Sequence, residues 1–215
     1  MKLVLLRHPP VAAPGGTCYG STDVALAPGW ERWVDDVRRL LAGVRGETAV
    51  ASSPLSRCRL PAEALGADVA LDDRLRELDF GAWEGKPWGR IPRAELDRWN
   101  GDLVNAAPPG GESLRALGAR VESFLDDARG ADVEALVAFT HGGPIRCMLV
   151  HALAMPLGAL FRLRADPGSV SIVSLSPAPP SVELVNLTLA GAGPGAGADR
   201  AGAMLRAPGS KAAGG

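Results

Sequence analysis

The stretch LVLLRHPPV, residues 3–11, decides how this sequence folds. Its aliphatic run predicts a short strand over residues 2–6 that is buried on both faces. The strand ends on Arg7 and His8, and two prolines, which cannot continue a central strand, follow at once. A guanidinium and an imidazole are groups that bind or attack anions. The stretch therefore predicts a central strand with a place for a negatively charged ligand at its end.

Strands and helices alternate along the rest of the chain. Ser53 and Pro54 are suited to begin the second helix, and Pro61 should shorten it. The alternation predicts an α/β fold, a three-layer α/β/α sandwich with a mostly parallel sheet, in which the last two strands form a hairpin. Strands are predicted at 2–6, 48–52, the start of 69–78, the start of 134–157, 168–176 and 181–189, and helices within 28–43, 53–67, 111–130 and the end of 134–157.

Three of the predicted strands end in residues of the same character. The first ends at Arg7 and His8, the second leads to Arg57, and the strand within 134–157 ends at His141. Because the carboxyl ends of parallel strands meet at one edge of a sheet, we expect these side chains to converge. Guanidinium groups and helix N-termini suit phosphate oxygens, and Gly142 lets the backbone approach a ligand closely. The set predicts a phosphate site, although each residue alone would be an ordinary polar strand end.

Composition narrows the classes of function. The 215 residues are 47% hydrophobic, enough for one substantial core. Lys and Arg number 23 against 24 Asp and Glu, so no excess of positive charge favours nucleic acid. Cys18, Cys58 and Cys147 are odd in number and lack metal-site spacing, which indicates a reducing compartment, and we expect the cytoplasm. The first apolar run is too short for a signal peptide or a membrane span, so no membrane association is expected.

The end of the sequence differs in composition from the rest. Residues 190–215 are mostly Ala, Gly and Pro, which bury too little apolar surface to offset the entropy of ordering. We expect a folded domain over residues 1–189 and a flexible tail over residues 190–215. The sequence fits either a monomer or a homodimer.

Four motifs together resemble a known family. LVLLRHPPV (3–11), SSPLSRC (52–58), RELDFGAWEG (76–85) and FTHGGPIR (139–146) have the order and spacing of the histidine phosphatase superfamily, which includes the cofactor-dependent phosphoglycerate mutases. The resemblance covers residues 1–187. It implies a phosphoglycerate mutase-like fold and a phosphoric monoester hydrolase that uses no metal or other cofactor.

The resemblance also implies roles for individual residues. His8 would be the nucleophile that takes the phosphoryl group as a phosphohistidine. Its imidazole must be neutral to attack, and neighbouring arginines disfavour the protonated ring. Arg7, Arg57 and His141 would spread the charge of the transferring oxygens. The family's proton donor maps to Glu77, for which the alternative is a simple ion pair with a nearby arginine.

Two departures from the family pattern affect the phosphate site. The usual RHG is RHP here, so Pro9 removes a backbone N–H, and the Asn that many members carry six residues after the nucleophile is Pro14. Hydroxyl groups of Thr17, Tyr19 or Ser21 would compensate, and Tyr19 is the residue we assign to the substrate.

The substrate prediction rests on the segment after the Glu77 motif. Residues 86–111 are compact, whereas the mutases carry longer insertions that keep water from the phosphohistidine, so an open site favours hydrolysis. RWNGDLVNAAPPGGESL (98–114) and CYGSTD (18–23) resemble the α-ribazole 5′-phosphate phosphatases of cobalamin biosynthesis. The expected substrate is α-ribazole 5′-phosphate, with Trp88 or Trp99 either stacking on its base or lying in the core. In the Glu77 motif, Glu84 is expected to shape a turn.

Other functions stay open. The enzyme could be a broad-specificity small-molecule phosphatase or act like a phosphoglycerate mutase. Because Pro9 removes a donor, a non-catalytic module that binds a phospholigand is a further alternative. A metal-dependent hydrolase is disfavoured because the two arginines would repel a cation, and its ligands would be His8, His141, Asp23 and Glu77.

Overall fold

The computed structural model describes residues 1–44, 46–176 and 178–189. The strands are β1 (Lys2–Arg7), β2 (Thr48–Ser52), β3 (Val69–Leu71), β4 (Ala135–Thr140), β5 (Ser169–Ser174) and β6 (Ser181–Thr188). The helices are α1 (Glu31–Leu41), α2 (Ser56–Glu63), α3 (Arg93–Gly101), α4 (Leu114–Arg129) and α5 (Gly142–Ala152). Short 3₁₀ turns span Asp73–Leu75, Gly81–Trp83, Trp88–Arg90 and Leu157–Arg162.

One six-stranded sheet has the order β3-β2-β4-β1-β5-β6. The first four strands in this order are parallel, with Arg7 of β1 opposite Thr140 of β4. Strand β5 runs antiparallel to β1, and β6 pairs with β5 in the predicted antiparallel hairpin. The predicted α/β fold with a mostly parallel central sheet is confirmed.

The central strand β1 is buried because both faces of the sheet are covered. Leu3 and Leu5 belong to the cluster that includes the apolar faces of α4 and α5, whereas Val4 and Leu6 belong to the cluster under α1 and α2. All four side chains are 0% exposed. Burying a side chain of this size stabilises a fold by about 1.5–3 kcal/mol, so this strand is strongly held in its register. Its carboxyl end, with Arg7 and His8, is thereby fixed at one edge of the sheet.

Helix α2 begins later than the sequence predicts. Ser53 and Pro54 do not start it, because the Ser53 backbone N–H donates to Phe139 O at 2.9 Å and extends the pairing of the sheet. Leu55 is the N-cap residue, with extended backbone, and the first helical residue is Ser56. Pro61 lies near the end of this eight-residue helix, as expected of a helix shortened by proline.

Helix α3 was not predicted, and it contains Trp99, one of the two tryptophans considered for stacking. Trp99 of α3 packs edge-on against Trp83 at a ring distance of 5.7 Å and against Phe80 at 6.4 Å. Trp88 packs edge-on against Phe80 at 5.3 Å. Trp99 therefore lies in the core, and Trp88 packs against the core while partly exposed. The expectation that one of them stacks on a substrate base finds no support in this packing.

Two sequence expectations concern membranes and the tail. Within the described ranges, no helix combines the length and the apolar character needed to cross a membrane. The flexible tail predicted for residues 190–215 lies outside the described residues.

Candidate active site

The carboxyl ends of β1, β2 and β4 bring the predicted residues to one edge of the sheet. Beyond the strands themselves, the His8 N–H donates to Thr140 O at 3.1 Å, which keeps the two strand ends together. His8, Arg57 and His141 are all buried, and Arg7 is half-buried beside them. The convergence of these four residues is therefore present in the structure.

The ring of His8 is held in one orientation. His8 Nδ1 lies 2.7 Å from the carbonyl oxygen of Pro9. Since a carbonyl only accepts, Nδ1 carries the hydrogen, and Nε2 is left with its lone pair. Burial, together with the charges of Arg7 and Arg57, lowers the pKa of His8 to about 3. A neutral imidazole with a free Nε2 is what a histidine nucleophile needs at neutral pH.

His141 is fully buried, and protein groups occupy both of its ring nitrogens. Arg57 Nε donates to His141 Nδ1 at 3.2 Å, so the hydrogen is on Nε2, which lies 2.9 Å from Ser53 Oγ. Burial and then the charge of Arg57 hold the pKa of His141 well below its usual range. Its ring faces that of His8 at 5.3 Å. Ser53 was not predicted as a partner, although it lies in the SSPLSRC motif.

Arg57 connects the sheet to the loop that follows the nucleophile. Its Nη1 donates to Thr22 O at 2.7 Å and its Nη2 to Gly20 O at 2.5 Å. The guanidinium carbon also lies 5.4 Å from the centre of the Tyr19 ring, a cation–π contact. Tyr19 therefore lies at the site, where it packs its ring against Arg57.

Glu84 holds the same loop from the other side. Its carboxylate accepts hydrogen bonds from the backbone N–H groups of Gly20, Ser21, Thr22 and Phe80, at 2.9–3.1 Å. Burial acts to raise the pKa of Glu84, but these hydrogen bonds outweigh it and lower the pKa from its usual value. This geometry agrees with the turn-shaping role expected of Glu84.

Two arginines share the space beside Gly142 at the start of α5. A Cβ on Gly142 would lie 2.9 Å from Arg146 Nη1 and 3.4 Å from the guanidinium carbon of Arg7. Arg7 donates to the carbonyl oxygen of Ala165, and Arg146 Nε donates to Leu163 O at 2.9 Å. The sequence analysis assigned no role to Arg146, although it ends the FTHGGPIR motif.

Glu77 lies on the other side of the same helix start. The Gly143 N–H donates to Glu77 Oε1 at 2.9 Å and is 3.2 Å from Oε2, and the Leu78 N–H also donates to Oε1. A Cβ on Gly143 would lie only 2.2 Å from Oε1. Among the ion pairs of the described residues none includes Glu77, so the alternative of an arginine partner is not seen.

A cleft of about 720 Å³ opens beside Glu77. Serine and asparagine side chains lie between charged groups in its lining. Carboxylates outnumber guanidinium groups four to two in this lining, which includes Asp73, Arg76, Glu77, Asp79, Glu112 and Arg120. The cleft can hold a leaving group next to a carboxyl group that could exchange a proton with it.

The residues of the metal-hydrolase alternative do not come together. Asp23 Oδ1 accepts hydrogen bonds from the backbone N–H and the hydroxyl of Ser56, at 2.8 and 2.7 Å, at the start of α2. In the part of the chain that the structure describes, no group of three or more His, Cys, Asp or Glu side chains could hold a metal ion. Asp23 instead fixes the loop to the helix.

Known proteins resemble this chain in sequence and in fold. The sequence pattern of the histidine phosphatase superfamily (branch 1) matches residues 3–188. The chain belongs to this superfamily. A bifunctional protein of Mycobacterium tuberculosis is 37% identical to this histidine phosphatase domain over 198 residues, which are 87% of this chain and 54% of the relative. The chain thus spans about half the length of that relative.

Two further comparisons concern a curated relative and a solved structure. Phosphoserine phosphatase 1 of Hydrogenobacter thermophilus is 29% identical over 187 residues, covering 81% of this chain and 87% of the relative. The α-ribazole phosphatase from Shigella flexneri has a TM-score of 0.77 at 23% identity, with 86% of this chain and 96% of the other covered. The second likeness is one of fold.

Proposed function

We propose that this domain hydrolyses phosphate monoesters through a phosphohistidine on His8, and that its substrate is α-ribazole 5′-phosphate of cobalamin biosynthesis. The observation that carries the proposal is the state of His8, which is buried and neutral, with Nδ1 bound to Pro9 O and Nε2 free. Pro9 removes a backbone N–H, but its carbonyl still orients the ring. His8 and Glu77 are the catalytic residues of the proposal, and His141 is a positioning residue for Arg57.

In the first step, His8 Nε2 forms a bond to phosphorus while the bond from phosphorus to the ester oxygen breaks. Arg7 and Arg57 stabilise the negative charge on the transferring oxygens. The Glu77 carboxyl group gives its proton to the leaving alkoxide, which departs into the adjacent cleft. His141 acts through Arg57, since its Nδ1 accepts from Arg57 Nε and holds the guanidinium in place.

In the second step, water enters the open cleft and the Glu77 carboxylate takes a proton from it. The resulting hydroxide attacks phosphorus, and the bond between nitrogen and phosphorus breaks. Inorganic phosphate leaves, His8 is neutral again and Glu77 is protonated again, so the cycle closes without a cofactor.

The cleft supports a hydroxyl-rich alcohol without a second negative charge. Its volume of about 720 Å³ lies within the range of about 300–1,000 Å³ that is usual for small-molecule sites. Asp73 and Glu112 pair with Arg76 and Arg120, and with Glu77 protonated the carboxylate of Asp79 leaves the lining with excess negative charge. A leaving group that carries its own carboxylate is therefore disfavoured. The riboside of α-ribazole 5′-phosphate has hydroxyl groups and no carboxylate, whereas 3-phosphoglycerate has one.

Phosphoserine is a second candidate substrate. The relative named phosphoserine phosphatase 1 is 29% identical over most of both chains, and the amino group of phosphoserine would offset the carboxylate of the same leaving group in an acidic cleft. A broad-specificity phosphatase would accept both esters.

We also propose that the enzyme works in the cytoplasm. Cys18, Cys58 and Cys147 are buried and unpaired, as in proteins of reducing compartments.

The test is phosphate release from α-ribazole 5′-phosphate, 3-phosphoglycerate, phosphoserine and a nucleoside monophosphate, measured in EDTA. The variants are His8→Ala and, as a matched control, His151→Ala, since His151 is an exposed histidine at the far end of α5. We expect at least about 10-fold higher kcat/KM for the ribazole ester, loss of turnover in His8→Ala and unchanged turnover in the control. Ten-fold corresponds to about 1.4 kcal/mol of transition-state binding.

Three results would contradict parts of the proposal. Similar slow rates on all four esters would remove the cobalamin substrate and keep the phosphohistidine. Activity that disappears in EDTA would restore a metal-dependent mechanism. No turnover, together with binding of the ester, would favour the non-catalytic binding module.

A further inference from the structure

Three arginines at this site lack carboxylate partners. In the part of the chain that the structure describes, Arg7, Arg57 and Arg146 are absent from the ion pairs, whereas most surface arginines there have one. Arg57 is fully buried, and the other two are half-buried. The guanidinium of Arg57 donates all its observed hydrogen bonds to backbone carbonyls and to His141. Unpaired guanidinium groups at this depth are suited to an anion.

The position of Arg146 is fixed from two sides. Its Nε donates to Leu163 O at 2.9 Å, and its guanidinium carbon lies 5.9 Å from the centre of the Phe161 ring. Arg146 lies four residues after Gly142, one helical turn later, so its side chain runs back along α5 toward the helix start. The hydrogen bond to Leu163 and the Phe161 ring hold the guanidinium in this position.

Arg7 and Arg146 come close although both are positive. Both guanidinium groups lie within 3.4 Å of the space that a Cβ on Gly142 would take. Burial and then the charge of Arg7 lower the pKa of Arg146, whereas the charges of Glu77 and Asp166 act to raise it, so the two guanidinium groups repel each other. Arg7 Nε is buried without a hydrogen-bond partner. An anion between the two groups would relieve the repulsion and could pair with this donor.

We propose that Arg146 is a catalytic residue that binds the transferring phosphoryl group together with Arg7, and that it compensates for the donors removed by Pro9 and Pro14. The inference rests on the proposed phosphoryl site at His8 but not on the identity of the alcohol. The positive guanidinium of Arg146 lies beside Gly142, whereas the carboxylate of Glu77 lies beside Gly143. The two glycines thus separate the phosphoryl ligands from the proton donor.

The test uses a ligand without any leaving group. The inhibition constants of inorganic phosphate and orthovanadate are measured against p-nitrophenyl phosphate for Arg146→Gln and Arg146→Lys. Arg162→Gln is the matched control, because Arg162 is an exposed arginine in the same turn as Phe161. Thermal unfolding of every variant shows whether it is folded, and the Lys variant keeps the charge if the Gln variant does not fold.

We expect the inhibition constant of phosphate to rise about 10-fold or more in Arg146→Gln, with a similar fall in kcat/KM. Arg146→Lys should recover part of both, because lysine keeps the charge but not the planar fork. The control should match the wild type.

Two outcomes would overturn the inference. The first is an unchanged inhibition constant of phosphate in a folded Arg146 variant. The second is a rise in KM confined to esters with a second anion, seen for 3-phosphoglycerate but not for glycerol 3-phosphate, which would make Arg146 a subsite for the alcohol. Phosphate inhibition does not depend on the ribazole ester, so loss of that substrate proposal would leave this test intact.

Discussion

Gly142 and Gly143 serve different neighbours at the start of α5. The space of a Cβ at Gly142 is bordered by the far ends of two arginine side chains, and at Gly143 it is taken by the carboxylate of Glu77. A long arginine side chain can shift by a few tenths of an ångström, whereas Oε1 of Glu77 at 2.2 Å would have to leave its position. Gly143 is therefore the glycine on which the proposed proton donor depends.

The first prediction concerns Gly143→Ala. We expect kcat to fall by about 100-fold, because a displacement of about 1 Å of a catalytic group can cost that much. The control is Gly101→Ala at the end of α3, where a Cβ meets nothing within 4 Å. Steady-state kinetics with p-nitrophenyl phosphate and thermal unfolding check both variants. Unchanged kcat in a folded Gly143→Ala would argue against the role of Glu77.

The site residues that could be predicted from the sequence are those whose side chains are unusual at the end of a strand. His8 and His141 stand out because histidines at the ends of aliphatic strands are unusual, and the structure brings them within 5.3 Å of each other. Ser53 and Arg146 give no such signal, since serine and arginine are common in turns and on helices. Only the pairing of β2 with β4 directs Ser53 toward His141.

At the scale of elements, the loop after the nucleophile is held by two side chains distant in sequence. Arg57 of α2 donates hydrogen bonds to the carbonyl groups of Gly20 and Thr22, and Glu84 accepts hydrogen bonds from the N–H groups of residues 20–22. The backbone of this loop therefore has charged partners on both sides. Its conformation in turn positions Arg57 beside the histidines.

The second prediction concerns Glu84→Gln. Glutamine has one acceptor oxygen where the carboxylate has two, so some of the four N–H donors lose their partner. We expect the free energy of unfolding to fall by about 1–3 kcal/mol, with reduced kcat/KM. Urea unfolding measures the first quantity. The control is Glu122→Gln at an exposed position of α4, which should change neither the free energy of unfolding nor kcat/KM. Equal effects of the two substitutions would contradict the role of Glu84 in holding the loop.

The elements themselves were predictable to different degrees. Strands β1, β2 and β4 were predicted because each is an aliphatic run, whereas α3 has few apolar positions and was missed. The start of α2 was wrong because the hydrogen bond from Ser53 to Phe139 belongs to the sheet and depends on a strand 80 or more residues away.

For the whole molecule, two buried neutral histidines make stability depend on pH. The pKa of His8 is lowered from 6.5 to about 3, and that of His141 is lowered in the same direction. Below pH 6.5 the unfolded chain binds protons that the folded protein does not take up. The stability is therefore fully present above pH 6.5 and is lost as the pH falls toward the folded-state pKa, by up to about 1.4 kcal/mol per pH unit for each histidine.

The third prediction follows from this linkage. The free energy of unfolding in urea, measured between about pH 7 and pH 5, should fall less steeply for His8→Asn than for the wild type, because one of the two proton uptakes on unfolding is removed. Asparagine can still donate to the Pro9 carbonyl. His151→Asn, at an exposed histidine, should keep the wild-type slope. An unchanged slope in His8→Asn would mean that this histidine is already charged in the folded protein.

The sequence by itself determined that strands alternate with helices around a mostly parallel sheet, and which side chains follow the strands. Both are local signals: the first is the spacing of aliphatic residues, and the second is the presence of histidine, arginine and glycine at the turns. Only the tertiary structure decided which ring nitrogen of His8 is free, which guanidinium groups lack a carboxylate, and which glycine accommodates Glu77. Those properties depend on distances between residues far apart in the chain, and burial changes the charge of groups such as His8 only once the sheet has closed around them.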